Sequence, residues 1–207
     1  MRRSVMAECW GKFICFDTET SGVHAGVHQI LTMDARVVEW TANGWGLHGR
    51  PFHGEVAFIP GRQVDAKALL VNGINQHTWE GEKEILILRE FIRWAREEMG
   101  DTYNLPMGFN VGFDIDFLKA AFARHPSLKF TDALSYRSLD VAQMAMWARV
   151  VGVLPDTRDM KLTTLCKALK IDTEGAHDSS VDVRMTFDLF EVLYELLGGT
   201  SQGELFG

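Results

Sequence analysis

Residues 12–16, Lys-Phe-Ile-Cys-Phe, form a continuous apolar run that ends directly on the two carboxylates of Asp17-Thr18-Glu19-Thr20. The run contains aromatic and β-branched residues and reads as a strand buried on both faces. In a strand, residues i and i+2 point the same way, so Asp17 and Glu19 project from one face about 7 Å apart at Cα. Two like charges at the end of a buried strand repel each other and lose hydration. Either the strand simply ends in solvent on polar residues, or divalent cations relieve both penalties.

Around this strand the chain punctuates itself clearly. Residues 30–40 and 54–59 read as further strands, with the Gly-rich segment 43–50 as the turn between them. Residues 82–99 are helical by period, with Ile85, Leu88, Ile92 and Ala95 on one stripe. A short strand follows at 105–109, then a helix over 111–124 with Asn110 as its N-cap. Another short strand ends near Asp140 and leads into a helix through Arg149. Residues 161–169 form a short helix and 180–197 a long one, with Val181, Met185, Leu189, Val192 and Leu196 on its apolar stripe and Gly198-Gly199 as its stop. Strands early, then helices alternating with strands, indicate an α/β domain with a mixed central sheet flanked by helices. A chain of 207 residues fits one such domain, residues 1–197, with a flexible tail at 198–207.

Composition bounds the function without choosing it. With 46% hydrophobic and 24% charged residues the chain is an ordinary globular protein. A net charge of -7 means the surface as a whole does not attract nucleic acid, although carboxylates that hold cations count as negative until the metal is added back. Residues 119–170 run the other way, with Lys119, Arg124, Lys129, Arg137, Arg149, Arg158, Lys161, Lys167 and Lys170 against Asp132, Asp140, Asp156 and Asp159. That surplus is either a phosphate-facing surface or a set of solvated helix faces. Cys9, Cys15 and Cys166 have no metal-ligand spacing, and Cys15 lies in an apolar run, so a reducing cytosol is the expected compartment. Two arginines at the start precede no apolar segment, so no signal peptide is expected, and no run approaches membrane-spanning length.

Two further acids stand out. Asp114 lies at or just beyond the first turn of the helix after Asn110, where a carboxylate complements the helix dipole. Phe117 and Leu118, one turn on, should pack inward, so Asp114 borders the core, whereas Asp116 points elsewhere as a solvated acid. Asp182 follows Ser179 at the spacing of a helix-capping pair, yet it flanks the buried stripe through Met185 and Leu189. His177 sits just upstream in a loop, and an imidazole beside a metal-bound carboxylate cluster is suited to taking a proton from water.

Taken together and in this order, these elements resemble the DEDDh branch of the DEDD exonucleases, which includes bacterial proofreading subunits, RNase T and oligoribonuclease. The first family motif is matched by Asp17-Thr18-Glu19-Thr20, and the second by Asn110, Phe113, Asp114, Phe117 and Leu118. The third, a histidine followed five residues later by an aspartate, is matched by His177 and Asp182, and residues 71–74 (Val-Asn-Gly-Ile) are similar to the loop between the first two motifs. The match spans roughly residues 11–197; Val183 departs from the small alanine common at that place, and much of 24–50 is not family-typical.

The resemblance implies a ribonuclease H-like fold and a 3′–5′ exonuclease releasing nucleoside 5′-monophosphates. It implies two divalent cations, Mg²⁺ or Mn²⁺, with Asp17 between them, Glu19 and Asp182 on one, and Asp114 on the other largely through water. His177 would be the general base. The terminal nucleotide would be held by the main chain at Thr18 and by Asn72, Gly73 and Ile74, with Asn110 beside them. Phe109 and Trp79 are candidates for stacking on a base, or are core residues. The expected partner is nucleic acid with a free 3′ end, single-stranded DNA being favoured; an RNA-directed exonuclease and a catalytically silent scaffold of the same fold are the alternatives. Near the end of the chain, Gln202, Leu205 and Phe206 resemble the peptides by which bacterial replication proteins dock on the sliding clamp, so a clamp or polymerase partner is an expectation. No membrane partner is expected.

Overall fold

A computed structural model describes residues 11–100 and 102–199. Its elements in chain order are β1 (Lys12–Thr20), β2 (Ile30–Thr41), β3 (Gly44–Glu55), α1 (Ala66–Val71), α2 (Glu84–Met99), β4 (Pro106–Gly108) and α3 (Gly112–Ala123). A 3-10 turn (Phe130–Asp132), β5 (Leu139–Asp140), α4 (Val141–Val150), α5 (Leu162–Ala168) and α6 (Ser179–Leu196) complete it. The sheet runs in the order β3-β2-β1-β4-β5, antiparallel between β3, β2 and β1 and parallel from β1 through β4 to β5. This is the expected mixed sheet flanked by helices, a ribonuclease H-like α/β fold.

β1 is central and buried on both faces. Ile14 and Phe16 join Phe91 of α2 and Phe117 and Leu118 of α3 in one core. Phe13 and Cys15 point the other way, into a second core with Val141 of α4, Leu165 of α5 and Met185 and Leu189 of α6. Alternation along the strand therefore feeds two helical layers. Truncating Phe16, which is 1% exposed, leaves a cavity that its neighbours cannot close. Phe16→Ala is expected to cost about 3–5 kcal/mol in urea unfolding.

Four expectations need correction. The Gly-rich segment 43–50 is not a turn: Ala42 and Asn43 turn the chain, and 44–50 belongs to β3, whereas 57–59 lie outside it. The glycines serve the strand instead. Gly49 (φ +66) lies at the register shift between Ala35 and Val37, a bulge that demands a left-handed residue, and a Cβ on Gly54 would meet Ile87 of α2 at 2.6 Å. Asn110 does not cap α3. It adopts a left-handed conformation (φ 57), and the N-cap position falls on Val111. The Asn110 amide instead donates to Asp140 Oδ1 (3.0 Å), which also caps α4 through the Ala142 amide (2.9 Å). The stripe of α6 is rotated from the expected one, with Val183, Met185, Phe187, Leu189, Phe190 and Leu193 buried and Leu196 exposed, because the helix packs on both β1–β2 and α4–α5. On α2, Ile85 is only half-buried, and Ile87, Phe91 and Trp94 carry the contact.

Candidate active site

Where β1 leaves the core its inward positions become polar. Asp17 and Glu19 continue the face of Phe13 and Cys15, toward the start of α6. Asp182, in the first turn of α6, completes a group in which one carboxylate oxygen from each residue lies within 4.8 Å of the others. Asp182 is not the helix cap: Asp178 is, through the amides of Ser180 and Val181. Asp182 reaches back instead, its Oδ1 accepting from the His177 amide at 3.4 Å, a contact that leaves its other oxygen to the acidic group.

Asp114 occupies the first turn of α3 and is 3% exposed. Its Oδ1 accepts from both the amide (3.0 Å) and the hydroxyl (2.6 Å) of Thr18, the residue between Asp17 and Glu19. This fourth carboxylate is thus pinned to the same strand end, and the amide of Thr18 is occupied by it. His177 is exposed in a left-handed turn (φ 75) directly before α6.

Crowding and burial raise all four acids. Burial pushes Asp17 well above the ordinary carboxylate range, reinforced by Asp114, Asp182, Glu19 and Asp34. Burial, then Asp182 and Asp114, push Glu19 up to about 8. Asp114 rises to about 7 through burial, against which the Thr18 hydrogen bonds pull it down. Asp182 is raised by burial and partly relieved by His177. Hard oxygen donors held together at such cost fit Mg²⁺- or Mn²⁺-type cations, whose charge reverses each of these penalties.

A stability signature follows. Carboxyls with raised folded pKa values bind more protons folded than unfolded between their ordinary range and about pH 7–8. Stability must therefore fall as pH rises through that window and level off above it. The metal-free protein is expected to melt progressively lower from about pH 5 to about pH 8, with Mn²⁺ raising the midpoint most at the upper end. Melting that climbed across this window without metal would contradict the clustering of the acids.

The other expected contacts sit around this strand end. Asn72, the C-cap of α1, donates through Nδ2 to the Thr20 carbonyl at 3.0 Å, and Gly73 turns left-handed (φ 67) to bring Ile74 back onto Leu69. The segment 24–28 is held by Arg62, whose guanidinium donates to the carbonyls of Ala25, Gly26 and His28. The Asn72 loop is thus moored at the strand end next to Glu19. Phe109 is half-buried against the α4–α6 core, and Asn110 is exposed. Trp79 is half-buried with its indole N–H on the Val56 carbonyl (2.9 Å), which favours a structural role over stacking. Within the basic segment, Arg149 and Arg158 pair with Asp156 and Asp159, while Arg124 is engaged from outside it by Glu84. Cys15 and Cys166 are free and buried. Cys9, Gln202, Leu205 and Phe206 lie outside the described residues.

Reading the sequence missed one group beside the site. Asp34 pairs across the sheet with Asp17, and Thr32 with Glu19, so both share the carboxylate face. The signal was present: one acid, Asp34, inside the largely apolar strand stretch 30–38.

A strand-borne pair of acids, a third on the final helix and a fourth at the start of a preceding helix define a DEDD-type nuclease centre on a ribonuclease H-like sheet. The model of the exonuclease family, RNase_T, matches residues 14–190, and the chain belongs to that family, as a DEDDh 3′–5′ exonuclease. Ribonuclease T of Enterobacter sp. (strain 638) is 26% identical over 196 residues, covering 90% of this chain and 84% of the relative. That of Cronobacter sakazakii (strain ATCC BAA-894) is 25% identical over 194 residues, with the same coverage of both chains. Among solved structures, E. coli exonuclease I in complex with a dT13 oligonucleotide superposes with a TM-score of 0.72 at 22% identity over 95% of this chain. A zinc-bound E. coli exonuclease I–single-stranded DNA complex also gives 0.72, at 20% identity over 95% of this chain. This chain spans 42% of the length of exonuclease I in both.

Proposed function

We propose that this exonuclease removes nucleotides one at a time from the 3′ end of single-stranded or frayed DNA, using two divalent cations held by Asp17, Glu19, Asp182 and Asp114. The observation that carries this reading is the convergence of three carboxylate oxygens within 4.8 Å from two distant parts of the chain. Mg²⁺ or Mn²⁺, when bound, supplies positive charge at the phosphoryl oxygens and makes water easier to deprotonate. Asp17, crowded by both Glu19 and Asp114, would be the carboxylate shared by the two cations, and Asp114, held by Thr18, would contribute to the second.

His177 takes the proton of the attacking water. Its exposure and its place one helical turn before Asp182 allow it to reach the site from the solvent side. The moored loop of Asn72, Gly73 and Ile74 supports the terminal nucleotide, with the carbonyl side of Thr18 and the Phe109–Asn110 corner completing the cradle. The products are nucleoside 5′-monophosphates.

The preference for DNA draws on the fold shared with exonuclease I, solved with single-stranded DNA. An RNA substrate is the second reading, favoured by likeness to proteins named Ribonuclease T over 90% of this chain. End-labelled single-stranded DNA and RNA of one sequence, digested with Mg²⁺, with Mn²⁺ and with EDTA, separate them. DNA is expected to shorten from its 3′ end at least tenfold faster than RNA, and not at all in EDTA; the opposite ratio establishes the RNA reading.

No helix of the described residues is long and apolar enough to cross a membrane, and the free, buried Cys15 and Cys166 suit the reducing cytoplasm we assign to the protein. A role in DNA replication or repair through the sliding clamp rests on Gln202, Leu205 and Phe206. Clamp pull-down is expected with the full chain and lost without residues 202–207; equal recovery removes that partner.

A further inference from the structure

Asp34 is 6% exposed and lies on the carboxylate face of the sheet, directly opposite Asp17. Both of its oxygens are already engaged by protein donors. Oδ1 accepts from His53 Nδ1 (2.9 Å) on β3, and Oδ2 accepts from the Ser179 hydroxyl, the first residue of α6. A carboxylate can only accept, so Ser179 spends its single proton on Asp34. The contact between Ser179 Oγ and Thr32 Oγ1 (2.9 Å) must then be donated by Thr32, which stands opposite Glu19.

The start of α6 is therefore tied to β2 at two points, each facing one of the paired acids of β1. Ser179 is 3% exposed, so neither bond competes with water. Asp182 follows one helical turn later and His177 two residues earlier.

We propose that Asp34 is a positioning residue: through Ser179, and with Thr32 beside it, it sets the separation between Asp182 and the Asp17–Glu19 pair, and hence the width of the cation site. Backbone pairing fixes β1 against β2, but no backbone–backbone hydrogen bond joins α6 to the sheet among the described residues. Packing of Met185 and Leu189 holds the helix body, and the Cys15 thiol donates a weak, long bond to the Val183 carbonyl (3.7 Å), whereas the stronger O–H···O bonds at the helix start are those of this bridge. Apolar contacts tolerate sliding; a cation shell does not, so the directional bonds are placed where the tolerance is smallest. His53 holds the far side of Asp34 and keeps its carboxylate plane toward Ser179.

The inference rests on the cation-site reading above and is tested by measuring Mn²⁺ binding directly, by calorimetry, alongside turnover. Asp34→Ala and Ser179→Ala are each expected to weaken Mn²⁺ binding about tenfold and to lower kcat about tenfold with KM within twofold, while far-UV spectra stay native. Because Asp34 acts through Ser179, the double variant should lose no more than Ser179→Ala alone. Asp34→Asn, whose carboxamide oxygen still accepts from Ser179, should recover most of both losses. Additive losses in the double variant, wild-type Mn²⁺ affinity in both single variants, or Asp34→Asn as impaired as Asp34→Ala would each overturn the bridge. Failure of the unaltered protein to bind Mn²⁺ at all would instead overturn the cation site itself.

Discussion

Asp17→Asn is expected to abolish metal-dependent cleavage, by at least about a thousandfold, or ~4 kcal/mol of activation free energy, while making the metal-free protein more stable. The two effects share one cause. Asp17 is partly buried and crowded by Asp114, Asp182, Glu19 and Asp34, so its ionised form is penalised by desolvation and by every one of these neighbours. Replacing the charge with an isosteric amide removes that penalty, as commonly happens when a site is relaxed at the expense of its chemistry. The same substitution removes the carboxylate proposed to be shared between the two cations. A raised melting temperature in EDTA, loss of the Mn²⁺-induced rise and loss of digestion are expected together. Asp182→Ala should behave alike in digestion with the fold preserved. Full nuclease activity in either purified variant would overturn the assignment of the site.

His177→Ala should lower the rate by about 10²–10⁴-fold, the range for removal of a general base, while leaving Mn²⁺ affinity nearly unchanged. The side chain is exposed, and the loop's attachment to Asp182 runs through the His177 main-chain amide, which alanine retains. The φ of 75 at this position adds a modest cost for alanine, so His177→Asn, which tolerates left-handed backbone, is the better-matched companion. Both variants should lose turnover while Mn²⁺ affinity stays within about twofold. Undiminished turnover would show that the proton leaves by another route.

Much of the frame was legible because it is written in local periodicity. The run at 12–16 behaves as a strand because its residues satisfy two cores at once, and α2, α3 and α6 fall within two residues of the spans their apolar repeats indicated. Glycine misled the reading of 43–50. Its propensity signals a turn, but here it relieves crowding under α2 and permits a bulge, and both needs arise from partners far away in sequence. Asn110 misled in the same way: its left-handed backbone answers to Asp140, thirty residues on, rather than to the helix it precedes.

The chain alone determined that Asp17 and Glu19 share a face, because a strand repeats every two residues whatever surrounds it. It also determined the order of the other acids and the histidine, from which family membership could be anticipated. Only the tertiary structure decided that Asp182 meets that pair, that Asp114 bonds to Thr18, and that Asp34 ties α6 to β2 across 145 residues of sequence. Those distances are set by how two helical layers seat on one sheet, a sum of many contacts that no local pattern encodes.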